Sequence, residues 1–188
     1  MTRAILGKHP GWGDFLRVGW PEGAAARLEA WIDGTFGTLR DEAAAWDAAP
    51  PLRFALGGAL AGMPLRGVLW FSRDRVGRRH PLLLAEAGPG EPEDAETFAA
   101  LEAARPEAGD DLAAGFAGLD GEPMSAVVWA VNGDGDFDAL RRAARAAEVQ
   151  AAAAGRSQWW REGVPATWLS VPGLPDAAAC RFLMGGTP

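Results

Sequence analysis

The chain has no tyrosine, a single cysteine, two histidines and one lysine, Lys8, among its 18 basic residues. Each scarcity excludes something. One cysteine, Cys180, leaves no intrachain disulfide and fits a reducing compartment. It lies in an apolar run and reads as a small core residue. His9, His80 and Cys180 are too widely spaced to offer a zinc-ligand pair, and no Cys–His nucleophile is supported. No cofactor or metal is expected. Basic charge is also short: 18 Lys and Arg stand against 25 Asp and Glu, a net charge of −7. That argues against a nucleic-acid backbone as main partner, since phosphate binding needs a basic face. No window approaches the apolar length of a membrane span, and the stretch from Met1 to Pro10 has no apolar run suited to a signal peptide. The expectation is a cytoplasmic protein without membrane insertion.

What is present is apolar mass in a chain of 188 residues, 48% of it hydrophobic, with nine Trp and eight Phe doing the filling that Tyr does elsewhere. Such a chain suits a single domain, 1–188, able to bury about 70% of its unfolded surface. Short apolar runs at Ala4–Leu6, Phe15–Val18, Leu52–Leu56, Val68–Phe71, Leu82–Leu84, Ala126–Val131 and Thr167–Val171 read as strands. Leu28, Trp31, Ile32, Thr35, Phe36 and Leu39 share one face of a helix spanning Ala24–Trp46, in which Gly34 and Gly37 suggest close packing or a bend. Two short helices follow the turn Pro89–Pro92, one with Phe98 and Leu101, one after Pro106 with Leu112, Phe116 and Leu119. A further helix runs from Phe137 to about Ala154, with Phe137, Leu140, Ala144, Ala147 and Ala151 on its buried face and Asp136 as its N-cap. Strands mixed with helices throughout give an α/β class, helices covering a central sheet, with the runs 68–71 and 127–131 in its middle.

The densest chemistry lies between two of these strands. Arg73, Asp74, Arg75, Arg78, Arg79 and His80 crowd between Val68–Phe71 and Leu82–Leu84. Ser72, Asp74 and His80 are the residue types of a hydrolase triad, but no nucleophile elbow surrounds Ser72. Asp74 can instead accept a bidentate arginine bond that ties the connection together. The remaining arginines suit an acidic or phosphorylated partner. A plain solvated turn is the third reading. The loop from Gly7 to Phe15, with Lys8 followed by His9-Pro10, lacks phosphate-loop spacing. Asn132, Asp134, Asp136 and Asp138 alternate like calcium ligands, yet Phe137 and Ala143 occupy the places of the required Gly and Glu, so a helix-capping loop is favoured. Trp12, Trp20, Trp159 and Trp160 lie among glycines and prolines, as lids over the core or as an interface.

Several separated motifs follow one another along the chain: Gly7-Lys8-x-Pro10-x-x-Gly13-Asp14-Phe15, Trp20-Pro21, the helix with Trp31, and Leu52–Leu56. Gly67-Val68-Leu69 follows with Ser72-Arg73-Asp74-Arg75-Val76-Gly77-Arg78 and Pro81-Leu82, then Trp159-Trp160 and Gly173-Leu174-Pro175. In this order they resemble the TagF family of type VI secretion accessory proteins. The resemblance implies a three-layer α/β/α sandwich with a central mixed sheet and no known enzymatic activity. It implies a cytoplasmic post-translational regulator that restrains secretion by binding a forkhead-associated (Fha-type) scaffold protein. The motif residues carried over as a binding site are Lys8, Gly13, Asp14, Phe15, Ser72, Arg73, Asp74, Arg75, Gly77 and Arg78. The alternative is a small enzyme or ligand-binding domain. Its site would lie where the Gly7–Phe15 and Ser72–Pro81 loops meet, and Asp14 and Asp74 would open into one pocket.

Overall fold

The protein is described by a computed structural model at residues 3–11, 13–21, 23–105, 128–148 and 155–185. Its strands are β1 (Arg3–Gly7), β2 (Leu16–Val18), β3 (Leu52–Leu56), β4 (Leu65–Arg73), β5 (Arg79–Ala87), β6 (Val128–Asn132), β7 (Arg156–Arg161) and β8 (Ala166–Pro172). The helices are α1 (Ala24–Leu39), α2 (Ala43–Ala48), α3 (Gly58–Ala61), α4 (Ala95–Ala103), α5 (Phe137–Glu148) and α6 (Ala177–Leu183). The strands form one sheet in the order β2-β1-β5-β4-β3-β7-β8-β6. Every neighbouring pair is antiparallel, which corrects the expected mixed sheet. For β4–β5 and β7–β8 the cause is connection length. Residues 74–78 and 162–165 join neighbouring strands by short turns, and a parallel pair would need a long crossover.

Side-chain alternation gives the sheet two apolar faces. Leu65, Leu69 and Leu83 join Phe54 and Trp159 in one cluster with α1 and α6 residues such as Leu28, Ile32, Phe36 and Leu183. Val68, Trp70, Leu82 and Leu84 join Trp160 and Trp168 in the other, with Phe98 and Leu101 of α4 and Leu140 of α5. Gly67 is required by this packing, because a Cβ there would fall 2.4 Å from the Phe54 ring.

Three sequence expectations change. The expected helix 24–46 breaks after Leu39, and a separate α2 carries Trp46 onto the sheet, 1% exposed, with its Nε1 donating to the Ser72 carbonyl at 3.1 Å. A Cβ placed on Gly34 would meet nothing within 4 Å, so the break owes nothing to close packing there. Trp159 and Trp160 are neither lids nor interface residues. They are consecutive residues of β7, 1% and 0% exposed, one on each face. The 128–132 strand is an edge of the sheet among the described residues, not its centre. An unbroken apolar run marks a central strand in parallel sheets, and this sheet is antiparallel. Asp136 caps α5 as expected, accepting from Ala139 N–H at 3.0 Å. Trp12, the helix expected after Pro106, and residues 126–127 and 149–154 lie outside the described residues.

Candidate functional site

Gly7 closes β1 opposite Leu82 of β5, and Lys8 N–H donates to the Pro81 carbonyl at 3.1 Å. Gly7 has φ of +117°, and a Cβ there would sit 2.0 Å from that carbonyl oxygen. Glycine therefore lets the two motif segments touch. The Gly7–Phe15 loop and the β4–β5 turn meet at one end of the sheet.

Asp74 is the tie between them. Its Oδ1 accepts from the Val76 and Arg78 amides at 3.1 and 2.9 Å, the self-bonding that lets Asp shape a turn. Oδ2 accepts from Arg78 Nε at 2.6 Å and from Lys8 Nζ at 3.1 Å, across 66 residues of sequence. The carboxylate has no exposed surface. Burial raises its pKa and is the largest influence, but the bonds from Arg78, Lys8 and Val76 together outweigh it and hold the carboxyl well below the usual range. Gly77, at φ +87°, completes the turn by donating to the Asp74 carbonyl.

The arginines divide in a way the sequence did not show. Asp74 is tied to Arg78 and Lys8, not to its chain neighbours Arg73 and Arg75. Arg73 reaches Asp47 at the end of α2 at 2.5 Å, and Arg79 grips the same carboxylate through Nε at 3.1 Å and Nη2 at 2.8 Å. Hydrogen bonds from Arg79 first, then Arg73, hold Asp47 at about 2. Arg75 is exposed and has no hydrogen bond or ion pair among the described residues. Gly13 lies beneath it, since a Cβ at Gly13 would be 3.3 Å from Arg75 Nη2. Asp14 is exposed, and Phe15 packs edge-on against His80 at 5.2 Å.

The triad-like residues do not share a hydrogen bond. Ser72 Oγ meets the Arg73 carbonyl at 3.4 Å and Arg105 Nη2 at 3.2 Å. His80 Nδ1 lies 2.9 Å from the Pro81 carbonyl, and burial, the main influence, pushes its pKa down. Asp47 and Arg105 were missed at the sequence level. Asp47 had one signal, its place beside a tryptophan able to anchor it. Arg105 had none.

Beside the tie lies an open depression of about 450 Å³, lined chiefly by Asp47, Ser72, Arg73, Asp74, Arg75 and Arg105. Asp74 borders it and Asp14 does not, so the two carboxylates do not open into one pocket there. Among the described residues no group of three His, Cys, Asp or Glu could hold a metal ion, and no helix is long and apolar enough to cross a membrane.

Fold and site define an antiparallel α/β protein whose two motif segments are joined by the buried Asp74 carboxylate, bonded to Lys8 and Arg78. Residues 4–117 match the family model of the TagF N-terminal domain, type VI secretion system-associated, and the chain belongs to this family. The matched region ends before β6, β7 and β8, yet β7 pairs with β3 inside the same sheet. Among solved structures the chain is similar to PA0076 from Pseudomonas aeruginosa PAO1. The two are 28% identical with a TM-score of 0.63, over 100% of this chain and 96% of that one. No curated protein gives a significant match.

Proposed function

We propose that this TagF domain is a post-translational regulator that restrains type VI secretion in the cytoplasm by binding an Fha-type scaffold component. Family membership supplies the secretion context. The observation that carries the binding role is the β4–β5 turn. Its carboxylate is wholly engaged in holding the turn and Lys8, and its exposed side chains are Arg75, Val76 and Arg78, with Val76 69% exposed. A rigid tip carrying guanidinium groups around one apolar side chain suits a protein surface better than a reaction centre. Residues 1–188 act in this reading as one domain, a three-layer α/β/α arrangement that presents the tip at one end.

Pull-down of the Fha-type protein by wild type and by Arg73→Glu, Arg75→Glu and Arg78→Glu variants tests the reading. Reduced capture by folded Arg75→Glu and Arg78→Glu is expected. Undiminished capture by all three variants overturns this face as the interface.

A further inference from the structure

The geometry points to an oxyanion site in the depression beside the turn, fitted to a phosphate monoester carried on a side chain of the bound partner. This rests on the reading that the partner docks at this end of the sheet. Charge balance carries the inference. Asp74 is matched by two cations, Lys8 and Arg78, and Asp47 by two more, Arg73 and Arg79. Arg75 and Arg105 line the same depression with no carboxylate partner among the described residues. Within the lining three cations, Arg73, Arg75 and Arg105, stand against two carboxylates, which Lys8, Arg78 and Arg79 neutralise further from outside it, in a chain whose net charge is −7.

Positive charge in excess of the carboxylates at one concavity favours an anion there. The two unpartnered guanidiniums match the charge of a phosphate monoester, about −2 at neutral pH. A single carboxylate would leave one of them unmatched. Donor geometry agrees. Arg105 makes one hydrogen bond among the described residues, to Ser72 Oγ at 3.2 Å, and rests 5.8 Å over the Trp70 ring. Its other N–H groups have no partner among the described residues, and the Ser72 hydroxyl lies on the same wall. The cation–π contact with Trp70 and the bond to the Ser72 hydroxyl hold the guanidinium at the wall, where its fork can meet a tetrahedral oxyanion. An open depression, rather than a closed cavity, suits a group presented on a polypeptide.

The test uses the intact chain titrated at constant ionic strength and followed by backbone amide NMR. The probes are N-acetyl-phosphoserine amide, N-acetyl-serine amide and inorganic phosphate. Saturable shifts centred on Ser72 and Arg105 are expected with the phosphoserine probe and absent with the serine probe. Arg105→Gln and Arg75→Gln should each weaken phosphoserine binding about ten-fold, the scale of one charge-assisted hydrogen bond. Arg142→Gln, on α5, should leave it unchanged. Arg105→Lys keeps the charge without the fork and should fall between wild type and Arg105→Gln, which guards against a folding defect in the latter. No response by wild type, or equal binding by wild type and both site variants, overturns the site. Binding of inorganic phosphate without the phosphoserine probe overturns a side chain as the source. Loss of partner capture by Arg75→Glu in a protein that ignores phosphoserine would sink only the oxyanion site. Phosphoserine binding with undiminished capture by the variants would sink only the docking face.

Discussion

Arg53 of β3 places Nε and Nη2 on Glu102 of α4, at 2.8 and 3.2 Å, and Nη1 on Glu162 beyond β7, at 2.5 Å. One cation sits there between two carboxylates, with its own side chain 9% exposed. Burial alone would lower its pKa. The Glu102 hydrogen bond and the charges of Glu102 and Glu162 reverse that and raise it. At the β4–β5 turn the ratio is inverted, with each carboxylate facing two cations and two arginines left over. The same ion-pair chemistry thus serves different ends. The Arg53 cluster joins a helix and two strands in the middle of the sheet. The turn cluster holds its own backbone and leaves positive charge facing outward.

The largest effect should come from removing what supports the turn cluster from below. Trp46 packs edge-on against Phe71 at 5.2 Å while bonding the Ser72 carbonyl. Trp46→Ala should cost about 3–5 kcal/mol by chemical denaturation, as for other buried tryptophans. A loss under about 1 kcal/mol would mean that the turn end does not depend on the core. Next, Arg53→Gln should cost about 2 kcal/mol, because it leaves Glu102 and Glu162 as unmatched neighbours. The figure lies below the range for fully buried pairs because both glutamates keep part of their solvent. If Arg53→Gln instead proved neutral while Arg75→Gln was costly, the comparison would be reversed.

Asp74→Asn should lower the melting temperature by on the order of 5 °C, and it should also change the acid response. The carboxyl binds its proton less tightly in the folded protein than in the unfolded chain. Its stabilisation is therefore complete above the unfolded carboxylate range, about pH 4. It is lost as pH falls from there towards the depressed folded value. Melting curves between neutral and acid pH should converge for wild type and Asp74→Asn as pH drops. Parallel curves would show that folding does not lower the Asp74 pKa. The smallest stability effect belongs to Arg75→Gln, within about 0.5 kcal/mol of wild type, as for an exposed residue with no ion-pair partner among the described residues.

Local pattern made much of this legible. The apolar runs 68–71 and 82–84, which lie inside β4 and β5, the apolar face from Leu28 to Leu39 and the Asp136 cap needed only neighbouring residues to be read. The contact between Gly7–Phe15 and Ser72–Pro81 was expected from strand ends, and the Lys8–Asp74 bond joins them. Which arginine meets which aspartate was not legible. Arg73, Arg75 and Arg78 look equivalent in sequence, and only the turn geometry turns Arg78 back onto Asp74 and sends Arg73 towards α2. Asp47 and Arg105 arrive from elements whose placement depends on the whole sheet, so no spacing rule reaches them. Trp159 and Trp160 were misplaced because flanking glycines hid a short strand, and both are buried in core on opposite faces.

The central claim is that the charge left over at the turn serves binding and not stability. Affinity of the proposed Fha-type partner for wild type and Arg75→Gln, measured at one salt concentration alongside both melting temperatures, tests it most directly. The expected result is binding weakened about ten-fold with the melting temperature unchanged. Equal affinity, or a fall in affinity only as large as a parallel loss of fold stability, would contradict it.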